Sequence, residues 1–98
     1  MTNPAWKQLE RRIAKAFGTT RTPLSGSNSR MTKSDTLHNK FFIEIKYRKQ
    51  IPFYKTYNET VAKAKEENKI PMVIFHEAGT KKNIVMIDLD DFVRLVKQ

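Results

Sequence analysis

The chain has 98 residues and a formal net charge of +9, with 19 Lys and Arg against 10 Asp and Glu. That length sets one domain, residues 1–98, built on one modest core. The absence of cysteine excludes disulfides and cysteine-ligated zinc, and the lack of a long apolar run excludes a membrane-spanning helix. His38 and His76 lack the close spacing of a zinc pair. The positive excess points to a polyanionic partner, nucleic acid before an anionic membrane surface. With no signal-peptide pattern at its start, the chain is expected to be cytoplasmic and to handle DNA or RNA.

The first predicted element is a helix from Pro4 to Phe17. Asn3 can cap it, Pro4 suits its first position and Gly18 its C-terminal cap. Trp6, Leu9, Ile13, Ala16 and Phe17 form its apolar stripe, with Glu10 on the margin and Lys7, Arg11, Arg12 and Lys15 over the remaining surface. Residues 19–34 are rich in hydroxyls and carry three cations but no acid. They read as a short edge strand near Thr20 to Thr22 followed by a loop.

A hairpin is expected next, Ser34 to Leu37 against Lys40 to Lys49. In its second strand Phe41, Ile43, Ile45 and Tyr47 share an apolar face, and Glu44 and Lys46 point to the other, roughly 7 Å apart along the strand. A two-residue turn at His38-Asn39 pairs Asp35 with Phe42, which puts Asp35, Glu44 and Lys46 on one side. Ile51 to Tyr54 is an apolar connector. It reads either as a segment tucked against the second helix or as part of a contact with another chain. Thr56 to Glu59 has capping-box spacing and predicts a helix with Tyr57, Val61 and Ala64 inward. Pro71 to His76 reads as a buried central strand and Asn83 to Ile87 as another strand. Asp88, Asp90 and Asp91 open a last helix with Phe92, Leu95 and Val96 inward. The order is α-β-β-β-α-β-β-α, an α/β (α+β) fold with a small mixed sheet flanked by helices, its third and fourth strands parallel.

An aspartate followed by Glu-x-Lys on an apolar strand is the arrangement of metal-dependent nucleases. The carboxylates hold a hard cation, and the lysine faces the water or phosphate. Glu-x-Lys alone is common on exposed strand faces. Here the strand's other face is apolar, an aspartate precedes it in compatible register, and acids are scarce in the chain. Glu10 has two readings, a surface residue paired with Lys7 or Arg11 or an outer metal ligand. Ser25 and Ser27 are ordinary loop hydroxyls or donors to a phosphate oxygen. Arg21, Arg30, Lys33, Arg48 and Lys49 are solubility charges or a phosphate track. His38 reads as a turn residue and His76 as a satisfied strand-end residue. Tyr47, Tyr54 and Tyr57 read as packing residues.

These residues resemble a family. Glu10, the loop Arg21-Thr22-Pro23-Leu24-Ser25-Gly26-Ser27, Asp35, and Glu44-Ile45-Lys46 followed by Arg48-Lys49 occur in the order seen in archaeal-type Holliday-junction resolvases, members of the PD-(D/E)XK nuclease superfamily. The likeness covers nearly the whole chain and includes the closing helix from Ile87 to Val96. Ser34 stands where the superfamily often has proline, and little precedes the first helix, where relatives often carry a basic arm. The resemblance implies a restriction-endonuclease-like αβββαβ core. It also implies an Mg2+-dependent endonuclease, with Mn2+ as substitute, that resolves four-way DNA junctions by paired symmetric nicks as a homodimer. Glu10, Asp35 and Glu44 would serve the metal, Lys46 the attacking water and the phosphate, and Ser25 the phosphate. Two alternatives stand beside it, a nuclease of the same superfamily acting on other branched or duplex DNA, and a non-catalytic basic DNA-binding protein with this fold.

Overall fold

The computed structural model describes residues 4–23 and 32–98. It contains three helices and a three-stranded mixed sheet in the order α1 (Ala5–Ala16), β1 (Phe41–Arg48), α2 (Phe53–Glu66), β2 (Ile70–Glu77), β3 (Asn83–Met86), α3 (Leu89–Val96). The strand order is β1-β2-β3. β1 and β2 run parallel, with Phe41 opposite Ile70 and Arg48 opposite Glu77, as two strands joined through a helix should. β3 returns antiparallel, with Val73 opposite Met86. β2 is therefore central, and Met72 to His76 are all buried.

The alternation of β1 divides the core in two. Ile43 and Ile45 join Leu9, Met72 and Ile74 under α1, with Ile13, Phe17 and Phe41 at the margin. Val73, Phe75 and Ile51 pack on the other face beneath α2, with Tyr57 and Met86. α1 ends where its sequence says it should. Gly18 takes φ +72, a left-handed conformation that glycine adopts without steric penalty, and Thr19 N–H returns to the Ala14 carbonyl at 2.9 Å. Ala14 is buried in place of the expected Ala16, and Trp6 lies out of the core at 42 % exposure. Asn3 lies outside the described residues.

The expected hairpin does not form. The 34–37 segment is no strand of the sheet; it is tied to the 20–22 segment by the single bridge Arg21–Thr36, with Thr22 N–H donating to the Asp35 carbonyl and Leu37 N–H to Thr20. Toward β1 its side chains replace a ladder. Ser34 Oγ accepts from Ile43 N–H at 2.8 Å and donates to the Ile43 carbonyl at 3.1 Å. Asp35 N–H reaches that same carbonyl at 2.9 Å, one residue beyond the expected Phe42. The turn is closed by the His38 ring, whose Nδ1 accepts from the backbone N–H of Lys40 and Phe41. His38 is thus a turn residue, with its pKa lowered by burial and by the cations of Lys69 and Lys40.

α2 also departs from expectation. It starts at Phe53, behind Pro52, and Thr56 N–H bonds the Pro52 carbonyl at 2.9 Å. Proline before the first turn displaces the capping box as the start signal. Its inner face is Thr56, Thr60 and Ala64, with the Thr60 hydroxyl satisfied by the Thr56 carbonyl at 2.8 Å. Val61 is exposed and Tyr57 half-buried. The connector divides, with Ile51 in the core and Tyr54 85 % exposed.

α3 is capped as expected. Asp88 Oδ1 accepts from Asp90 and Asp91 N–H at 2.9 and 3.2 Å. Its inward residues are not covered: no residue of α3 is buried. Leu89, Phe92 and Val96 are 71, 50 and 66 % exposed.

Candidate functional site

The site lies along the outer edge of β1, where α1 and the 34–36 segment meet it. Asp35 is placed there by its own carboxylate. Its Oδ2 accepts from Ile45 N–H at 2.7 Å, so the side chain occupies a donor that an outer strand would otherwise take. Glu44 follows on β1, and its Oε1 lies 3.2 Å from Lys46 Nζ. The expected pairing of Glu44 and Lys46 on one side of the strand is realised, and both are partly buried.

The acids feel one another. Burial and then the Glu44 carboxylate push Asp35 from 3.8 to about 7; the Ile45 N–H and Lys46 pull against this, and Glu10 adds to it. Glu10 is raised by burial and, less, by Glu44, against the opposing pull of Arg21. Arg21 Nε meets Glu10 Oε1 at 2.7 Å, and its guanidinium lies 5.5 Å from the Trp6 ring centre. The partner of Glu10 is therefore Arg21, not the expected Lys7 or Arg11. Arg21 belongs to the site's scaffold as well as to its positive surface.

Among the described residues no group of three or more His, Asp or Glu is arranged to hold a metal by itself, so Glu10, Asp35 and Glu44 do not form a closed cage. The donor set still fits a hard divalent ion. Mg2+ is usually held by one or two carboxylates and completes its shell with water and phosphate oxygens. Asp35 and Glu44 supply two carboxylates, and burial first and Glu44 second raise the Asp35 pKa.

The other expected residues fall in different places. Ser25, Ser27 and Arg30 lie outside the described residues. Arg48 and Lys49 are exposed at the end of β1. Lys33 is exposed, 3.9 Å from Glu66, and its backbone N–H donates to Glu67 Oε2 at 3.0 Å. Glu67 also accepts from the Thr32 hydroxyl and pairs with Lys69 at 3.2 Å. Burial raises its pKa, but these donors outweigh burial and hold the carboxyl below its usual value. Glu67 thus anchors the 32–33 segment to α2, a role with no local signal in the sequence.

Two more residues escape a reading of the sequence. Trp6 and Tyr47 line one cleft of about 330 Å³ with Glu10, Ile45, Lys46 and Arg48. Tyr47 is stacked on His76, ring centres 5.0 Å apart and planes at 9°. His76 is satisfied as expected, its Nδ1 at 2.8 Å from Asn83 Oδ1. No described helix is long and apolar enough to cross a membrane. No protein-family model, curated protein or solved structure matches the chain.

Proposed function

We propose that this chain is a divalent-metal-dependent DNA endonuclease of the Holliday-junction resolvase type, with a reduced restriction-endonuclease-like core. The observation that carries the reading is the association of Asp35, Glu44 and Lys46 on one strand edge of a chain with net charge +9. Acids set where phosphates must bind weaken binding unless a cation lies between them. Asp35 and Glu44 are the residues to hold Mg2+ or Mn2+, with Glu10, fixed by Arg21, beside them. A bound divalent ion lowers the pKa of water and neutralises charge on the phosphate. Lys46 donates to the phosphate or orients the attacking water, and Glu44 keeps its ammonium over that position. Arg48, Lys49 and Lys33, together with the sequence-predicted Ser25, Ser27 and Arg30, supply phosphate contacts that read no bases, so binding is structure-selective and salt-dependent.

Paired nicks at a four-way junction need two sites, and one chain carries one, so a second copy supplies the other about a two-fold axis. The face suited to this is β3 with α3. β3 is an edge strand with Ile84 and Val85 half exposed. Val85, Leu89, Phe92, Val93 and Val96 leave 37 to 71 % of their surface exposed there, apolar area that such a contact would cover.

The test is cleavage of a mobile four-way junction against linear duplex, with and without Mg2+. We expect Mg2+-dependent symmetric nicking of the junction, lost at least 100-fold in Glu44→Gln and Lys46→Ala while junction affinity stays within about three-fold, since affinity rests on the many cations. Wild-type cutting rates in either variant remove these residues from the chemistry.

A further inference from the structure

The cleft between the start of α1 and the end of β1 is unlike the phosphate-facing edge beside it. Its walls are two aromatic rings from distant parts of the chain, Trp6 at 42 % and Tyr47 at 37 % exposure, with Ile45 and the Arg21-paired Glu10 between them and the cations Lys46 and Arg48 at the strand. A soluble domain normally turns such rings inward. Here each is instead held in a fixed pose with area left open. Tyr47 is backed by the parallel-stacked His76 ring, itself buried and tied to Asn83. Trp6 is flanked by Arg21 and by Lys7, whose Nζ lies 5.4 Å from the ring centre. At about 330 Å³ the cleft is at the lower end of small-ligand sites, a size that suits one base with its sugar. Aromatic faces beside cations that track a backbone are the means by which proteins hold unpaired nucleotides, because every base has a π-face.

We propose that the Trp6–Tyr47 cleft takes one unpaired nucleobase of a DNA strand whose adjoining phosphate lies against Lys46 and Arg48. The inference rests on the nuclease reading for what lies next door, but base capture itself needs neither metal nor cleavage. It gives the protein a means of preferring DNA with unpaired or unstacked bases, as at a branch point, over continuous duplex. The base enters by stacking, so its identity matters little.

Trp6 is the chain's only tryptophan, which makes its fluorescence a reporter for this cleft alone. In EDTA, the full chain is titrated with a short single-stranded oligothymidylate, with a strand of the same length made of abasic residues, and with blunt duplex. Binding of each is followed in parallel by anisotropy of a dye on the DNA. We expect the base-containing strand to quench Trp6, and the abasic strand and the duplex to bind with little change in emission. Tyr47→Leu should weaken the base-containing strand by between about five- and 100-fold, the range of one stacked base, and leave the abasic strand unchanged. Trp6→Leu, at an exposed helical position, should do the same by anisotropy, and thermal melts establish that both variants are folded. Equal quenching by the abasic strand, or equal weakening of both strands by the two variants, overturns the proposal. Junction cleavage by the unmutated chain in Mg2+, measured alongside, separates it from the nuclease reading. Base-dependent quenching in a protein that never cuts DNA leaves the cleft and removes the nuclease, while junction cutting without base-dependent quenching removes the cleft alone.

Discussion

Asp35→Asn should stabilise the metal-free protein, and by an amount that depends on pH. The folded carboxyl titrates at about 7 against an ordinary 3.8. Between those values the folded chain keeps a proton that the unfolded chain has lost, so stability falls as pH rises from about 4 to 7 and stays lowered above that. A difference of about three pKa units, at 1.36 kcal/mol each, sets an upper bound of ~4 kcal/mol on the loss. That is a large part of the ~5–15 kcal/mol that holds a small domain together. Asparagine removes the titration and keeps an amide oxygen to accept the Ile45 N–H that Asp35 Oδ2 accepts at 2.7 Å. We expect a gain of about 1–3 kcal/mol at pH 8 in EDTA, which for a domain of this size raises Tm by at least ~5 °C, and almost no gain at pH 4. Mg2+ should raise the wild-type Tm at pH 8 by acting on the same repulsion, and should do little for Asp35→Asn. Thermal melts in a two-by-two design of pH and metal measure both effects. A variant destabilised equally at pH 4 and pH 8, or stabilised by Mg2+ as much as wild type, would refute both the strained carboxyl and its place in a metal site.

Ser34→Ala should cost about 1–3 kcal/mol in urea denaturation, because the fully buried Ser34 Oγ serves both the N–H and the carbonyl of Ile43 and its loss orphans a buried donor. Phe92→Glu should turn a dimer into a folded monomer by sedimentation at micromolar concentration; a wild-type chain monomeric with and without junction DNA contradicts the β3–α3 interface. Junction affinity measured with Ca2+ and with EDTA should show the acids changing sign. Glu44→Gln should bind more tightly than wild type in EDTA and no more tightly in Ca2+, and an affinity gain independent of the ion would favour a DNA-binding protein without catalysis.

Much of this architecture can be read along the chain because its signals are local. The inward Ile43 and Ile45 of β1, the glycine after α1, the aspartate before α3 and the apolar run of β2 each act within a few residues and are realised, while Tyr47 at the end of the same pattern is exposed. The failures arise where two local signals compete or where a side chain does the work of backbone. Pro52 and Thr56 both announce the start of α2, and the earlier one sets it. The 34–37 segment has the length and alternation of a hairpin arm, but the Ser34 hydroxyl and the Asp35 carboxylate bond the β1 backbone before a ladder can form. Pattern also names an amphipathic face without saying what covers it, so Phe92, Leu95 and Val96 read as inward while no residue of α3 is buried. The cleft of Trp6 and Tyr47 joins residues far apart in sequence, each with an adequate local explanation as packing.

The distribution of charge within the site argues for a cation more strongly than the motif does. Three acids sit within electrostatic reach of one another, and they are not treated alike. Glu10 has Arg21 at 2.7 Å and Glu44 has Lys46 at 3.2 Å. Asp35 forms no ion pair with any described residue, although its chain carries 19 Lys and Arg. It is also the carboxyl pushed furthest toward neutrality, by burial first and Glu44 second. A structural acid in so basic a chain would find a lysine at little expense, and a solvated one would ionise normally. A carboxylate held by a backbone N–H and without an ion pair among the described residues keeps its proton close to neutral pH instead. A divalent ion shared with Glu44 would ionise it at neutral pH, and the proton displaced is the one whose loss above about pH 7 leaves a buried charge in the metal-free fold. On this reading, the fold's weakness above pH 7 and the site's fit to a divalent cation share their causes, the burial of the Asp35 carboxylate first and its repulsion by Glu44 second.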